Sequence, residues 1–404
     1  MDHKFARFGK LKSNAAQKIA ILVASGGGFV FALLLAKYWP AKAYGEFISG
    51  FSIVSYLSFP FLFGLIPQVL RQSTGGAKVS FFLICKEHIV FLLVYFCLLL
   101  VILLWWSSGF VSFLQINSLL LIVLATGVGE AMLRHKKAIS TVFYVRALGM
   151  SLSVLIVFLM IGENWERATW ITYFARVIPS AFVLFFGIIL MTRFVIPKQS
   201  SHVLMNSEPS SVLGVVEATL IAITIGIFQY AFIIVGQKIM PAEKFVSISI
   251  GLMISVTVCQ KLIEPHVFRL FSTGHLEKHR YRWLLFFELI IFSFSAQILT
   301  TLLLGGEIGF VNAVVFAIGS SFVSISCLIH YAIFIHGDSI KISAVILLLL
   351  IFLLMVLHHF SQMLNFTLYY LGLAILYFTI VMIRFPKEGK LFKLFKTPGK
   401  FSDA

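Results

Sequence analysis

The chain alternates between long apolar segments and short polar ones from end to end. A hydrocarbon core about 30 Å thick is crossed by roughly 20 apolar residues in a helix, and segments of about that length recur about twelve times. Breaks at charged residues, glycine and proline predict spans at 18–39, 44–70, 84–106, 109–132, 139–161, 169–192, 211–237, 245–265, 283–304, 308–335, 339–360 and 364–384. No polar stretch is long enough for a water-soluble domain. The pattern therefore predicts an all-α integral membrane protein with about 12 transmembrane helices.

Composition supports this interpretation, and the spacing of the cysteines does not suggest a metal site. The chain is 60% apolar and 12% charged, whereas soluble domains carry about 25% charged residues. The cysteines lie inside or at the ends of predicted helices and lack the paired spacing of a zinc site. These are Cys85, Cys97, Cys259 and Cys327. We therefore expect no metal and no cofactor.

The basic residues predict the orientation. Of 32 Lys and Arg residues, 24 fall at the termini and in one set of alternate loops, and 5 fall in the other set. Because basic residues near helix ends stay in the cytoplasm, both termini are expected to be cytoplasmic, with a basic C-terminal tail. The net charge of +16 is then explained by topology and by anionic membrane lipids, so nucleic acid is not an expected partner.

The two halves of the chain show an internal match. A shift of 201 residues places Lys37 on Lys238, Pro40 on Pro241, Ala41 on Ala242, Gly50 on Gly251 and Ile53 on Ile254, and Tyr44 on Phe245. Chance similarity in an apolar composition is the alternative to a true repeat. A repeat predicts two six-helix lobes, 1–200 and 201–404, related by a pseudo-two-fold axis along the membrane normal. Transporters that alternate access around a central site are typically built this way.

The run from Ala36 to Gln72 resembles the start of a known family, the polysaccharide-export branch of the superfamily that also contains multidrug and toxin extrusion transporters. The matching positions are Pro40, Tyr44, Gly45, Phe47, Gly64, Leu65 and Arg71, whereas Pro67 departs from the small polar residue usual there. The resemblance implies a transporter, not an enzyme, in the bacterial inner membrane. It would flip undecaprenyl-pyrophosphate-linked oligosaccharides such as O-antigen repeat units to the periplasmic leaflet, alongside polysaccharide polymerase and assembly proteins.

Two other functions stay open. A multidrug exporter of the same superfamily would favour acidic residues in its lumen, whereas the deepest charges predicted here are arginines. An integral-membrane O-antigen polymerase or ligase would carry a long periplasmic loop with catalytic Arg or His. The longest connections here, 193–210 and 266–282, are predicted to be cytoplasmic.

Cations within predicted spans are candidates for binding a pyrophosphate, because charges are costly there and Arg donates paired hydrogen bonds to phosphate. Arg146 and Arg176 lie deepest, and Arg71 and Lys261 lie nearer the cytoplasmic ends. Other interpretations are open for each cation. Arg71 and Lys261 can extend to the interface, Arg176 can pair with Glu163 or Glu166, and Arg146 can pair with Glu130.

Other polar residues within spans are candidates for coupling and for sugar contacts. Glu217 and Glu288 each lie at least one turn inside a predicted helix and are candidates to accept a coupling proton. Gln229, Gln297 and Asn312 are candidates to contact sugar hydroxyls. The alternative is structural: ion pairs for the acids, and bonds to a neighbouring helix for the amides.

Overall fold

In the computed structural model the chain divides into two compact units. One contains Met1–Pro40 and Val79–Asn206, and the other contains Ala41–Lys78 and Ser207–Ala404. The structure describes residues 30–53, 139–160, 212–273, 280–304, 309–336, 340–359 and 365–384, with single positions at 19–27, 97 and 178–186. The two lobes 1–200 and 201–404 stay a prediction. The contact-based units also break near residue 200, but Ala41–Lys78 groups with the second unit.

The described regions are helical, and none of their residues lies in a strand. Helix α1 of the first unit is Ile139–Leu159. In the second unit α2 (Val212–Gly226) continues through a π-helical turn (Ile227–Ala231) into α3 (Phe232–Ile239). The remaining helices are α4 (Ala242–Thr273), α5 (Arg280–Leu304), α6 (Phe310–His336), α7 (Ile340–His359) and α8 (Phe366–Arg384).

Among the residues that the structure describes, five helical segments, all in the second unit, are long and apolar enough to cross a membrane. They are Thr219–Ile239, Ala242–Ile263, Leu284–Leu302, Phe310–Phe334 and Phe366–Ile383. Phe143–Leu159 and Ser343–His359 are apolar but shorter. The protein is therefore an α-helical membrane protein, as its sequence predicts.

Each of the six spans predicted after residue 201 coincides with a helix of the structure, and the span predicted at 139–161 coincides with α1. The described positions within 18–39, 44–70 and 169–192 are helical as well, except Trp39 at the end of the first of these spans. The span predicted at 84–106 is described only at Cys97, and the one at 109–132 lies outside the described residues. The total of twelve spans therefore stays a prediction.

Helix α6 is the central helix of the second unit. It packs most extensively against α8 and α4, and also against α5 and α2. Its segment Phe310–Phe334 is 83% buried inside the protein. Small residues permit close approach, since a Cβ added at Gly319 would lie 2.7 Å from Cε1 of Tyr370. Glycine at this position therefore lets α8 pack directly on α6.

Close packing also explains a glycine of the first unit. Gly26, Gly27 and Gly28 lie within the first predicted span, where they suggest close helix packing or a bend. Of the three, the structure describes Gly27, where an added Cβ would clash with the side chain of Met150 on α1. Close packing is thus confirmed at Gly27.

The turns at Pro40 and Pro241 share one hydrogen-bond pattern. The Trp39 amide donates to the Leu35 carbonyl at 2.9 Å, and 201 residues later the Met240 amide donates to the Gly236 carbonyl at 3.1 Å. Proline disfavours helical backbone at the preceding residue, and Met240 is accordingly extended, with φ −116° and ψ 150°. A new helix begins immediately after each proline.

Candidate functional site

Arg146 is partly buried on α1. Counting in helical steps places it on the face that carries the buried residues Met150, Ser153 and Val157. The opposite stripe of α1 is apolar and exposed, with Tyr144, Leu148, Leu155 and Phe158. An exposed apolar stripe on a membrane helix suits contact with lipid. Arg146 therefore lies away from the lipid-facing stripe and engages other groups of the protein.

The other candidate cations are less completely described. Lys261 is partly buried in the second half of α4 and is engaged by other groups. Arg71 and Arg176 lie outside the described residues, as do the pairing partners suggested for the arginines. Those partners are Glu130, Glu163 and Glu166. Near Arg176 in sequence, Phe182, Val183 and Phe186 pack around Val145 of α1, so the sixth predicted span contacts α1.

The two candidate acids lie in different surroundings. Glu217 on α2 exposes only 7% of its surface and has an interaction partner. Glu288 on α5 is exposed, next to Phe287, which is 56% exposed. Glu217 is therefore inside the unit, whereas Glu288 lies on its outer surface near the start of α5.

Gln229 lies in the π-helical turn between α2 and α3 and is buried. Its Oε1 has no hydrogen-bond partner among the described residues. Such turns contain i→i+5 hydrogen bonds and are often found at functional sites. The preceding Phe228 stacks on Tyr377 at 5.6 Å between ring centroids, with 19° between the planes. The turn thus contacts α8 through Phe228, and the amide oxygen of its Gln229 is unsatisfied within the described part of the chain.

Gln297 links three helices. Its Nε2 donates to Ser255 Oγ on α4 at 2.6 Å and to the Ala313 carbonyl on α6 at 2.9 Å, whereas its Oε1 has no partner in the described part of the chain. The Gln297 amide therefore bonds to neighbouring helices, which is the structural role that was the alternative to a sugar contact. Asn312 is partly buried near the start of α6, and neither its role nor that of Gln229 as a sugar contact is tested.

Sequence reasoning missed a buried network around His330. The ring lies between Tyr377 of α8 and Ser343 of α7, and the Ser320 hydroxyl meets that of Tyr370 at 3.1 Å. The four serines of the stretch Gly319–Ser326 were a visible signal, because small hydroxyl residues within a span favour helix interfaces. Nothing in the sequence indicated which helices they would meet.

The helical segments that follow Pro40 and Pro241 contact each other in the second unit. Tyr44, in the helical stretch 41–53, is fully buried beside Ser249 of α4. An added Cβ at Gly45 would lie 3.4 Å from Cδ1 of Phe245. The Tyr44 hydroxyl has no hydrogen-bond partner among the described residues. The helices that follow Pro40 and Pro241 therefore pack on each other through Gly45 and Phe245.

The cysteines and potential metal ligands form no chemical centre in the described regions. Cys259 and Cys327 are buried, and Cys97, Cys259 and Cys327 are free thiols. The Cys259 Sγ lies 3.8 Å from the Ser321 hydroxyl. No three His, Cys, Asp or Glu side chains among the described residues are grouped to hold a metal.

Comparisons with protein-family models, with curated proteins and with solved structures find no match to this chain.

Proposed function

We propose that the protein is a flippase of the bacterial inner membrane. It moves an undecaprenyl-pyrophosphate-linked oligosaccharide from the cytoplasmic to the periplasmic leaflet by alternating access. The substrate class rests on the resemblance of the run from Ala36 to Gln72. The observation that carries the transport mechanism is the similarity of the turns at Pro40 and Pro241. Each turn contains the same backbone hydrogen bond, from the residue before the proline to the carbonyl four residues earlier, and the two bonds are 201 residues apart.

The contact after these turns supports alternating access. The stretch 41–53 and α4 begin at turns that are predicted to be periplasmic, and they meet through Gly45 and Phe245. In an alternating-access carrier, two repeats contact each other at one membrane face in one state and separate at that face in the other state. We infer that this contact closes the periplasmic end of the carrier.

Arg146 supplies the charge that the substrate requires. A pyrophosphate is anionic, and Arg offers it a planar fork of donors. A charged group within a span costs about 2.5 to 3.5 kcal/mol, and Arg146 lies on the partly buried face of α1 rather than on its exposed stripe. We assign the same role to Arg176, Arg71 and Lys261 as further cations along the path.

Complementation tests the function. The chain is expressed in a strain that lacks its own flippase, and polysaccharide on the cell surface is measured. Arg146→Ala should abolish display at normal protein level, and Arg146→Lys should retain part of it. Leu148→Ala is the matched control, because Leu148 is 58% exposed on the same helix, and it should display normally. Full display by Arg146→Ala would contradict the assignment.

A reversible cross-link tests alternating access. Gly45→Cys and Phe245→Cys are combined in a chain whose four native cysteines are replaced, and a short thiol cross-linker is added. Display should stop on cross-linking and return on reduction, whereas each single variant should be unaffected by the reagent. Undiminished display by a fully cross-linked protein would exclude this contact as a gate.

Labelling tests the proposed sidedness. Cysteines introduced at 193–210 and 266–282 should react only after the inner membrane is permeabilised, and cysteines at 162–168 should react in cells whose inner membrane is intact. Opposite labelling at any of these connections would rule out twelve spans with both termini in the cytoplasm.

One observation favours a multidrug exporter as the second candidate. Glu217 is a buried acid on α2, and a carboxylate inside a transporter suits a cationic drug. This function predicts that the chain protects a pump-deficient strain against ethidium and that Glu217→Gln removes the protection. Protection without complementation would favour the exporter over the flippase.

A further inference from the structure

His330 is a buried imidazole that the proposed transport mechanism does not yet use. It lies on the central helix α6 and is fully buried. Its Nδ1 is 3.0 Å from the Tyr377 hydroxyl on α8, and its Nε2 is 2.8 Å from the Ser343 hydroxyl on α7. The ring thus joins three helices through both of its nitrogens.

The two hydroxyl partners leave the protonation state of this ring open. A backbone carbonyl at one nitrogen would require an N–H there and would fix the tautomer. A hydroxyl can donate or accept. Ser343 and Tyr377 therefore accommodate either neutral tautomer as well as the imidazolium, in which both nitrogens donate.

We propose that His330 is a proton-binding site that couples transport to proton movement across the membrane, an inference that rests on the proposed function. The lone pair of one ring nitrogen takes up a proton from water, and the hydroxyl that had donated to that nitrogen turns to accept from it. A serine hydroxyl in a helix can redirect its hydrogen to the carbonyl one turn earlier. The same N–H later returns the proton to water on the other side.

Burial links proton binding to conformation. A positive charge within a membrane protein is costly unless water or a counter-charge reaches it, so a protonated His330 favours a state in which the ring is hydrated. A ligand shifts an equilibrium by its differential affinity for the two states. Proton binding therefore biases the protein away from the state in which His330 is fully buried.

Tyr377 connects this site to the π-helical turn. Its hydroxyl meets His330, and its ring stacks on Phe228, which precedes Gln229 in that turn. A displacement of Tyr377 therefore acts directly on the segment between α2 and α3. Helix α3 ends at the Pro241 turn, from which α4 runs to its contact with the stretch 41–53.

Other titratable residues lie on α6, on the helices packed against it and on α7. Cys327 and Tyr331, on α6 itself, interact electrostatically with the Tyr377 hydroxyl. The elements packed against α6, together with α7, carry Glu217 on α2, Cys259, Lys261 and His266 on α4, Glu288 on α5, Lys341 on α7, and Tyr370 and Arg384 on α8. The two hydrogen bonds of the His330 ring are both to hydroxyls.

Exchange of the histidine C2 hydrogen with deuterium, read by mass spectrometry, tests the site in the unaltered full-length protein. The exchange rate rises with pH as a sigmoid centred on the titration of each ring. We expect His330 in proteoliposomes to show such a pH-dependent exchange, because the proposed cycle brings water to the ring. The exposed His358 at the end of α7 is the internal control. Absence of exchange at His330 under conditions in which His358 exchanges would overturn the proposal.

Two variants separate coupling from a purely structural role. His330→Gln keeps hydrogen-bonding groups but cannot carry a proton, so display should lose its dependence on external pH and on protonophores. Tyr377→Phe keeps the titrating ring and the stacking on Phe228, so the dependence should persist with a shifted midpoint. An unchanged pH profile in His330→Gln at normal protein level would refute the coupling role.

The outcomes distinguish this inference from the proposed function. If the wild type complements but His330 does not exchange, the proton-binding proposal is refuted and the flippase proposal stands. A titrating His330 in a protein that fails to complement removes the flippase. If His330→Gln does not fold, the exchange measurement on the wild type and on Tyr377→Phe still decides the question.

Discussion

Helices α5 and α6 are equally plausible membrane spans by sequence, yet they occupy opposite environments. Segment Leu284–Leu302 of α5 is 28% buried, whereas Phe310–Phe334 of α6 is 83% buried. On α5 the buried positions include Ser293, Gln297 and Thr300, and the exposed ones include Ile291 and Phe292. On α5, these polar side chains thus lie on the inward face, whereas large apolar side chains occur on both faces, as buried Leu289 shows, because lipid is as apolar as leucine.

The first prediction compares one aromatic side chain from each helix. Phe316→Ala on α6 should destabilise the protein by about 3 to 5 kcal/mol, because it leaves a cavity at a fully buried position. Phe292→Ala on α5 should cost far less, because the side chain is 53% exposed and lipid can fill the space. Unfolding in mixed micelles measures both changes. Equal losses would refute the assigned environments.

The second prediction places a charge on the outward face of α5. Ile291 is 60% exposed near the middle of the span. Ile291→Lys should cost about 2.5 to 3.5 kcal/mol on insertion, and Ile291→Leu should be neutral. Glycosylation-based insertion assays report this free energy. Insertion of the lysine variant without a penalty would mean that this face meets water or protein.

The third prediction tests how closely α6 and α8 approach. Gly319→Ala places a methyl group against the Tyr370 ring, which Phe232 and Phe316 contact edge-on. Overpacking of this kind costs about 1 to 3 kcal/mol. Gly372→Ala on α8 is the matched control, because nothing lies within 4 Å of its added Cβ. Thermal unfolding followed by gel filtration should separate the two variants.

The fourth prediction has the smallest expected effect and concerns the inward face of α5. Gln297→Ala and Ser255→Ala each remove one partner of a 2.6 Å hydrogen bond. A double-mutant cycle should return a coupling energy of about 0.5 to 1.5 kcal/mol. Free energies of unfolding for the four proteins provide the cycle. Strict additivity would show that the bond contributes no net stability.

Hydropathy was sufficient to locate the described helices of the second unit along the chain, but not to predict which of them packs at its centre. The predicted spans at 283–304 and 308–335 match α5 and α6 closely, since length and apolarity define a span. Both would cross a bilayer equally well, so the central position of α6 depends on packing that hydropathy does not encode. The four serines of the stretch Gly319–Ser326 were a local indication that α6 packs against other helices.

The candidate site was predictable in part. The side of α1 on which Arg146 lies follows from helical spacing, because the stripe formed by Tyr144, Leu148 and Leu155 is uniformly apolar. The outward position of Glu288 was missed, since an acid near a helix end can face either way. The His330 network was missed because its members, Ser343 and Tyr377, lie 13 and 47 residues away in the chain.

The π-helical turn has a consequence for the comparison of the two halves as copies of one ancestral segment. Its i→i+5 bonds accommodate one more residue than an α-helical turn. Beyond the turn, Phe31 matches Phe232 at the offset of 201, but before it Ile21 matches Ile221 and Gly26 matches Gly226 at an offset of 200. Under the duplication hypothesis, a single inserted codon near Ile227–Ala231 accounts for the change of offset. The π-helical turn would then be the place where the helix accommodates the inserted residue.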